Sequence, residues 1–239
     1  VTDLRAGSAR FQERHGLEPT GALDEVTLAE LNIPISVRMA TIALNMERWR
    51  WLPHDPGTRY ILVRIADFEL DAVAVGETVL NMRVIVGKPY WRTPVFSARL
   101  THLVFNPFWY IPRSIAVAEI LPMVRRDPSY FARRDVVVTQ GSGMQLARVD
   151  PDTVDWASQT AVNFAYSFTQ APGADNPLGK IKFHFSNPYH VYLHDTPHDE
   201  LFNERIRELS HGCIRLEKSL DLAAFVLAEE SNWPRGRIV

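Results

Sequence analysis

Cys213 is the only cysteine of the chain, and it stands in the polar run Ser210-His211-Gly212-Cys213-Ile214-Arg215-Leu216. With no second cysteine there is no intramolecular disulfide to form. A thiol attacks carbonyl carbon as its thiolate, and a nearby imidazole can take the proton. Two histidines qualify: His211, beside the turn, and His194, in Val191-Tyr192-Leu193-His194-Asp195-Thr196-Pro197. Spacing does not choose between them, because residues i and i+2 of an extended turn can share one side. The small Gly212 lets a carbonyl approach the sulfur, and the N–H groups of Gly212 and Cys213 are the simplest oxyanion donors. If residues 213–215 are extended, Arg215 shares the side of the thiol, where a guanidinium suits a carboxylate-bearing peptide. The bland alternative is an inert, buried cysteine, and the His-Gly context speaks against it.

A metal site is the rival chemistry. His190, His194 and His198 recur every fourth residue, which on a helix would suit zinc. Pro188, Pro197 and the run Val191-Tyr192-Leu193 argue for strand and loop instead. Four residues of strand span about 13 Å, too far for one ion. No metal or organic cofactor is expected.

These residues need a scaffold, and the chain is long enough for one large domain or a domain with a small module. Its 239 residues are 46% apolar and 23% charged with net charge −2, ordinary for a globular protein and unlike a nucleic-acid-binding surface. No run approaches the roughly 18 apolar residues of a membrane span. The first residue is Val1 rather than Met, which predicts a processed or trimmed piece whose targeting segment is gone.

Residues 1–34 read as helix, turn, helix, with Gly16 as a stop and Asp24 as an N-cap. Residues 35–52 read as a helix, because Met39, Ile42, Ala43, Met46 and Trp49 share one face. That stripe is expected to be a packing face. From residue 60 the period changes. Tyr60–Ile65, Phe68–Val75, Val79–Val86 and Leu100–Phe105 read as antiparallel strands, with a hairpin turn at Gly76-Glu77. Asn106-Pro107-Phe108-Trp109-Tyr110-Ile111-Pro112 breaks the pattern, and Ser114–Leu121 reads as a short helix capped by Ser114. Strand character returns near Lys180-Ile181-Lys182-Phe183. About seventy residues between strand groups is too long for a plain connection, so 108–169 reads as an inserted lobe. A helix is expected over Glu217–Glu230, its N-terminus close enough to Cys213 to favour the thiolate.

The His194 spacing together with Ser210-His211-Gly212-Cys213-Ile214-Arg215 resembles the signature of the YkuD-type L,D-transpeptidases, cysteine enzymes that cross-link peptidoglycan. Asn106 to Pro112, Glu119-Ile120-Leu121-Pro122 and Gln170-Ala171-Pro172-Gly173 resemble the large Gram-negative subfamily that carries a capping subdomain. Phe11 to Asn32 resembles the second half of a peptidoglycan-binding-like domain. The resemblance implies a mostly β fold with α: a β-rich catalytic domain over 56–239, a helix-containing capping lobe at about 108–169, a connecting helix at 35–55 and a partial wall-binding segment at 1–34. It implies His194 as general base, oriented by a backbone carbonyl, with His211 in support. Arg215, Ser210, Tyr192, Trp109 and Asn106 are expected to bind substrate.

The implied partners are peptidoglycan stem peptides, carbapenem-type β-lactams as covalent inhibitors and, through the N-terminal segment, the wall itself. The implied location is periplasmic or envelope-facing. The implied reaction is attack of Cys213 on a diaminopimelate carbonyl, loss of D-alanine and 3–3 cross-linking. Water or a lipoprotein lysine would serve the same thioester as acceptor. A non-catalytic wall-binding module is the alternative of another class, and the intact Cys213, His194 and Gly212 speak against it.

Overall fold

The computed structural model describes residues 3–230 and 232–238. The chain forms two compact units, Val1–Pro56 and Gly57–Val239.

In the first unit, α1 (Leu4–Arg14) and α2 (Glu25–Leu31) are joined through a polar clasp. The buried Gln12 amide donates to Ala22 C=O at 2.7 Å and to Thr27 Oγ1 at 2.9 Å, and its oxygen accepts from Gly21 N–H at 2.7 Å. Asp24 caps α2 by accepting from Thr27 N–H at 2.7 Å. The buried side chains here, among the described residues, are the polar Ser8, Gln12 and Thr27. A third helix, α3 (Ile35–Trp49), has no buried residue. The stripe expected to pack is exposed, with Met39 at 65%, Ile42 at 60% and Trp49 at 60%. Periodicity specifies which residues share a face, and it does not supply a partner for that face.

The second unit is mostly β. Strands β1 (Arg59–Arg64), β2 (Glu69–Ala74) and β3 (Glu77–Gly87) form an antiparallel meander, followed by β4 (Leu100–Phe105). The β2–β3 turn is Val75-Gly76, one residue earlier than the sequence suggests. Both residues have positive φ, +52° and +82°. A two-residue turn of that hand matches the strand twist, and the β-branched Val75 hides it from a search for Asn or Gly pairs.

Between β4 and the next strand of this sheet, the chain builds a second sheet from β5 (Trp109–Ile111), β6 (Val136–Gln140), β7 (Ala147–Val149) and β8 (Tyr166–Gln170), in the order β5-β8-β6-β7. It has its own core, built on Ile120, Val124, Phe131, Val138, Phe164 and Phe168. The expected short helix at 114–121 is longer. It starts as α at Arg113–Ile115, widens to π at Ala116–Ile120 and returns to α at Leu121–Arg126. Leu121 N–H reaches back five residues to Ala116 C=O. Pro122 has no N–H to give, so the wider turn carries the helix past a residue that would otherwise end it. Its first cap is Pro112, without a side-chain bond, rather than Ser114. The root of this lobe is closed by the buried Asn176, whose amide donates at 3.0 Å to both Pro107 C=O and Ala171 C=O.

The main sheet is completed by β9 (Ile181–Phe185), β10 (Leu193–His194), β11 (Glu208–Ser210) and β12 (Ile214–Leu216). Its order is β1-β2-β3-β12-β10-β9-β4, with β11 also on β3. Side chains of paired strands alternate between faces. Leu193 lies opposite Phe183 and Ile214, and all three join the core. His194 lies opposite Lys182 and Arg215, so these three share the other face. The helix Ser219–Val226 packs Leu222 and Ala223 into that core. It is shorter than the expected 217–230 helix, and β12 stands between it and Cys213. The proposed help from a helix N-terminus therefore does not apply to the thiol.

Candidate active site

The Cys213 turn is held by its neighbours on all sides. Gly212 has φ +110°, a conformation that a side chain would strain. The buried Ser210 hydroxyl donates to Cys213 C=O at 2.5 Å and accepts from Gly212 N–H at 3.1 Å. Two sequence expectations change here. Ser210 is a lock within the turn rather than a substrate contact, because its side chain is buried and its one hydroxyl proton is given to Cys213 C=O. Gly212 is not the free oxyanion donor expected, because Ser210 takes its N–H.

A residue that the sequence did not single out fixes the next peptide. The buried Thr93 hydroxyl accepts from Gly87 N–H at 2.9 Å and donates to Gly212 C=O at 2.8 Å. In a trans peptide the N–H points opposite to the C=O, so Cys213 N–H is turned away from Thr93. At Gly87 an added Cβ would lie 2.0 Å from Trp91 C=O, so only glycine lets this loop close on the turn. Thr93→Val keeps the volume and strands a buried N–H and a buried C=O. It is expected to lower stability by about 1–3 kcal/mol and to slow modification of Cys213. Urea unfolding checks the first effect, and an unchanged midpoint would remove Thr93 from this role.

Tyr192, His194, Cys213, Arg215 and Lys182 converge. The Tyr192 N–H and hydroxyl both donate to the Cys213 sulfur. Burial pushes the Cys213 thiol up, against the opposing pull of those two bonds and of the Lys182 and Arg215 charges. His194 is buried, and burial, with the Arg215 charge and then that of Lys182, pushes its pKa down to about 3. Its Nδ1 lies 2.5 Å from Asp195 C=O. A carbonyl only accepts, so Nδ1 carries the proton and the neutral ring keeps its lone pair on Nε2. The Asp195 carboxylate is occupied elsewhere, accepting from Lys180 N–H at 2.8 Å and from the Ser219 hydroxyl at 2.7 Å. The resting site therefore holds thiol and neutral imidazole.

His211 is committed to other partners. Its ring lies 4.2 Å from that of Trp91, and its Nε2 donates to Glu119 Oε1 at 2.5 Å. Glu119 belongs to the π segment, so the lobe touches the Cys213 turn directly. Its charge also acts on the half-buried Arg215.

Trp109 and Asn106 are held by other contacts. Trp109 is half-buried against the core of the lobe, which accounts for its indole by packing. Asn106 is exposed with φ +47°, and its N–H donates to Lys180 C=O at 2.8 Å, so it serves the turn at the root of the lobe. His190 sits in the loop before β10, and His198 Nδ1 lies 3.2 Å from Glu200. Among the described residues, no three His, Cys, Asp or Glu side chains converge as a metal site.

Comparison with known proteins gives the same direction as the geometry. Residues 58–234 match the model of the YkuD family, the L,D-transpeptidase catalytic domain. A Haemophilus influenzae protein named "Putative L,D-transpeptidase" is 37% identical over 196 residues, which are 82% of this chain and 38% of that protein. The chain thus spans well under half the length of that relative. A solved structure, the L,D-transpeptidase from Mycobacterium smegmatis, aligns with a TM-score of 0.39 at 13% identity, over 71% of this chain and 54% of that one. With the family match covering most of the chain and all of the Cys213 site, the chain belongs to the YkuD family of L,D-transpeptidase catalytic domains.

Proposed function

We propose that this chain forms 3–3 cross-links in peptidoglycan through a thioester on Cys213. The observation that carries the reading is the convergence of Cys213, the Tyr192 hydroxyl and a neutral His194 that keeps its lone pair on Nε2. His194 Nε2 takes the thiol proton while sulfur bonds to the diaminopimelate carbonyl carbon of a tetrapeptide stem. The carbonyl oxygen becomes an oxyanion, with Cys213 N–H as its donor. The C–N bond to D-alanine breaks as Nε2 returns the proton to the leaving amine, and the thioester remains. The side-chain amine of a second stem then attacks, gives its proton to Nε2 and expels the sulfur, which recovers that proton.

In this reading Arg215 binds a stem carboxylate, and the lobe at 109–170 caps the cleft through Glu119 and His211. No metal or organic cofactor takes part. The reaction belongs to the periplasmic face of the envelope. Among the described residues, no helix is long and apolar enough to cross a membrane. Wall binding by the N-terminal helices belongs to the same proposal. A sacculus pull-down with Cys213 alkylated separates it from catalysis.

Product analysis tests the acceptor. After incubation with disaccharide-tetrapeptide, mass spectrometry should show cross-linked dimer and free D-alanine. Tripeptide alone would make the enzyme a carboxypeptidase, and transfer to a lysine peptide alone would make it an anchoring enzyme. A carbapenem, which presents a strained acyl group, should add once, at Cys213.

A further inference from the structure

Lys182 stands on the site face of β9, directly across from His194. Its ammonium lies 3.8 Å from the centroid of the Tyr192 ring, and the hydroxyl of that ring meets the Cys213 sulfur. The amine is half-buried, and desolvation works against its charge. Other part-buried cations of the second unit are met by acceptors: Arg64 by Glu69 and Asp71, Arg83 by Glu217, and Arg207 by the carbonyls of Val84, Glu204 and Phe68. Among the described residues, Lys182 forms no ion pair with a carboxylate, and the group of opposite sign that acts on it is Cys213, which is charged only once it has lost its proton. A cation held in a cleft without a counter-ion is costly unless a ligand brings one.

The geometry decides which ligand group that is. Neighbouring strands lie about 4.8 Å apart, and β10 separates β9 from β12. Arg215 and Lys182 therefore flank the His194 strand on opposite sides, about 10 Å apart along the sheet. A peptide lying across the strands, with its scissile carbonyl at Cys213, extends one residue, about 3.5 Å, towards either cation. On the Arg215 side Glu119, bonded to His211, adds negative charge that acts on that guanidinium, which leaves Arg215 for an internal carboxylate of the stem. On the Lys182 side the protein provides none.

We propose that Lys182 is the subsite for the leaving group and binds the free C-terminal carboxylate of the stem, one residue beyond the carbonyl that Cys213 attacks. This rests on the acyl-transfer reading above. Lys182 orients the donor and adds no covalent step. It also explains how a small leaving amino acid is held in register while the bond to it breaks.

The test compares two probes, a disaccharide-tetrapeptide with a free C-terminal carboxylate and the same compound as its C-terminal carboxamide. The wild-type chain, Lys182→Gln and Lys182→Arg are assayed for release of the last residue. Alkylation of Cys213 by the neutral reagent iodoacetamide reports the thiol independently. The wild type should prefer the acid by about 10- to 100-fold in kcat/KM, the span of one charged hydrogen bond. Lys182→Gln should erase that preference by losing rate on the acid alone, and Lys182→Arg should restore part of it. Equal wild-type rates on acid and amide would overturn the subsite. So would an equal loss on both probes in Lys182→Gln with slower alkylation, which would assign Lys182 to the thiol alone. If the wild type processes neither peptide while iodoacetamide still labels Cys213, the transpeptidase reading itself fails and takes the subsite with it.

Discussion

Cys213→Ala is expected to abolish thioester formation and carbapenem acylation completely while leaving the fold intact. The substitution removes the only sulfur nucleophile of the chain. It removes little else: the turn is held by Ser210, Thr93 and Gly212 through backbone groups that alanine retains. The two bonds from Tyr192 to sulfur are lost, so its hydroxyl must find water. The stability change should stay within about 1–2 kcal/mol, because the atom removed is small and its residue is only part-buried. Intact-mass analysis reads the chemistry, and thermal unfolding reads the fold. Peptide processing that survives in this variant would end the cysteine mechanism.

His194→Gln is expected to cost about 10²–10⁴-fold in acylation rate, the usual worth of general-base assistance. His211→Ala should cost far less, because Glu119 and Trp91 engage that ring. The reverse ranking would exchange the two roles. The same substitution has a second signature. His194 binds its proton near pH 3 in the folded chain, against an ordinary value of 6.5. Between those values the unfolded chain takes up more protons, so stability is retained above pH 6.5 and falls as pH drops through the window. The slope is about 1.4 kcal/mol per pH unit at most. Removing the imidazole should flatten the dependence of Tm on pH between about 6.5 and 3.

The local part of this site was legible in the sequence, and the distant part was not. The Cys213 turn and the alternation of Tyr192, Leu193 and His194 are patterns within a few residues. They offer a candidate nucleophile and two candidate bases, and it was the family resemblance, not the spacing, that singled out His194. Thr93 meets Gly212 across 119 positions and Glu119 meets His211 across 92, and no periodicity announces such pairs. Lys182 gave a weak signal, a lone cation in the apolar-aromatic strand Ile181-Lys182-Phe183. Its weight came only with the register that sets it opposite His194. Ser210 and Gly212 were placed at the right turn and given the wrong partners, because a hydroxyl two residues from an N–H competes for it locally. Pro122 reads as a helix stop, and the π segment carries the helix through it. That detour brings Glu119 to the turn. The stripe on α3 shows the opposite failure, a correct face with no burial.

The central claim is that Cys213 carries the acyl group of the stem. Intact-protein mass spectrometry during turnover of a disaccharide-tetrapeptide tests it most directly. The account predicts a transient adduct equal to the substrate less D-alanine, located on Cys213 by peptide mapping and absent from Cys213→Ala. Release of D-alanine with no adduct at Cys213, or with undiminished rate after Cys213 is alkylated, would contradict it.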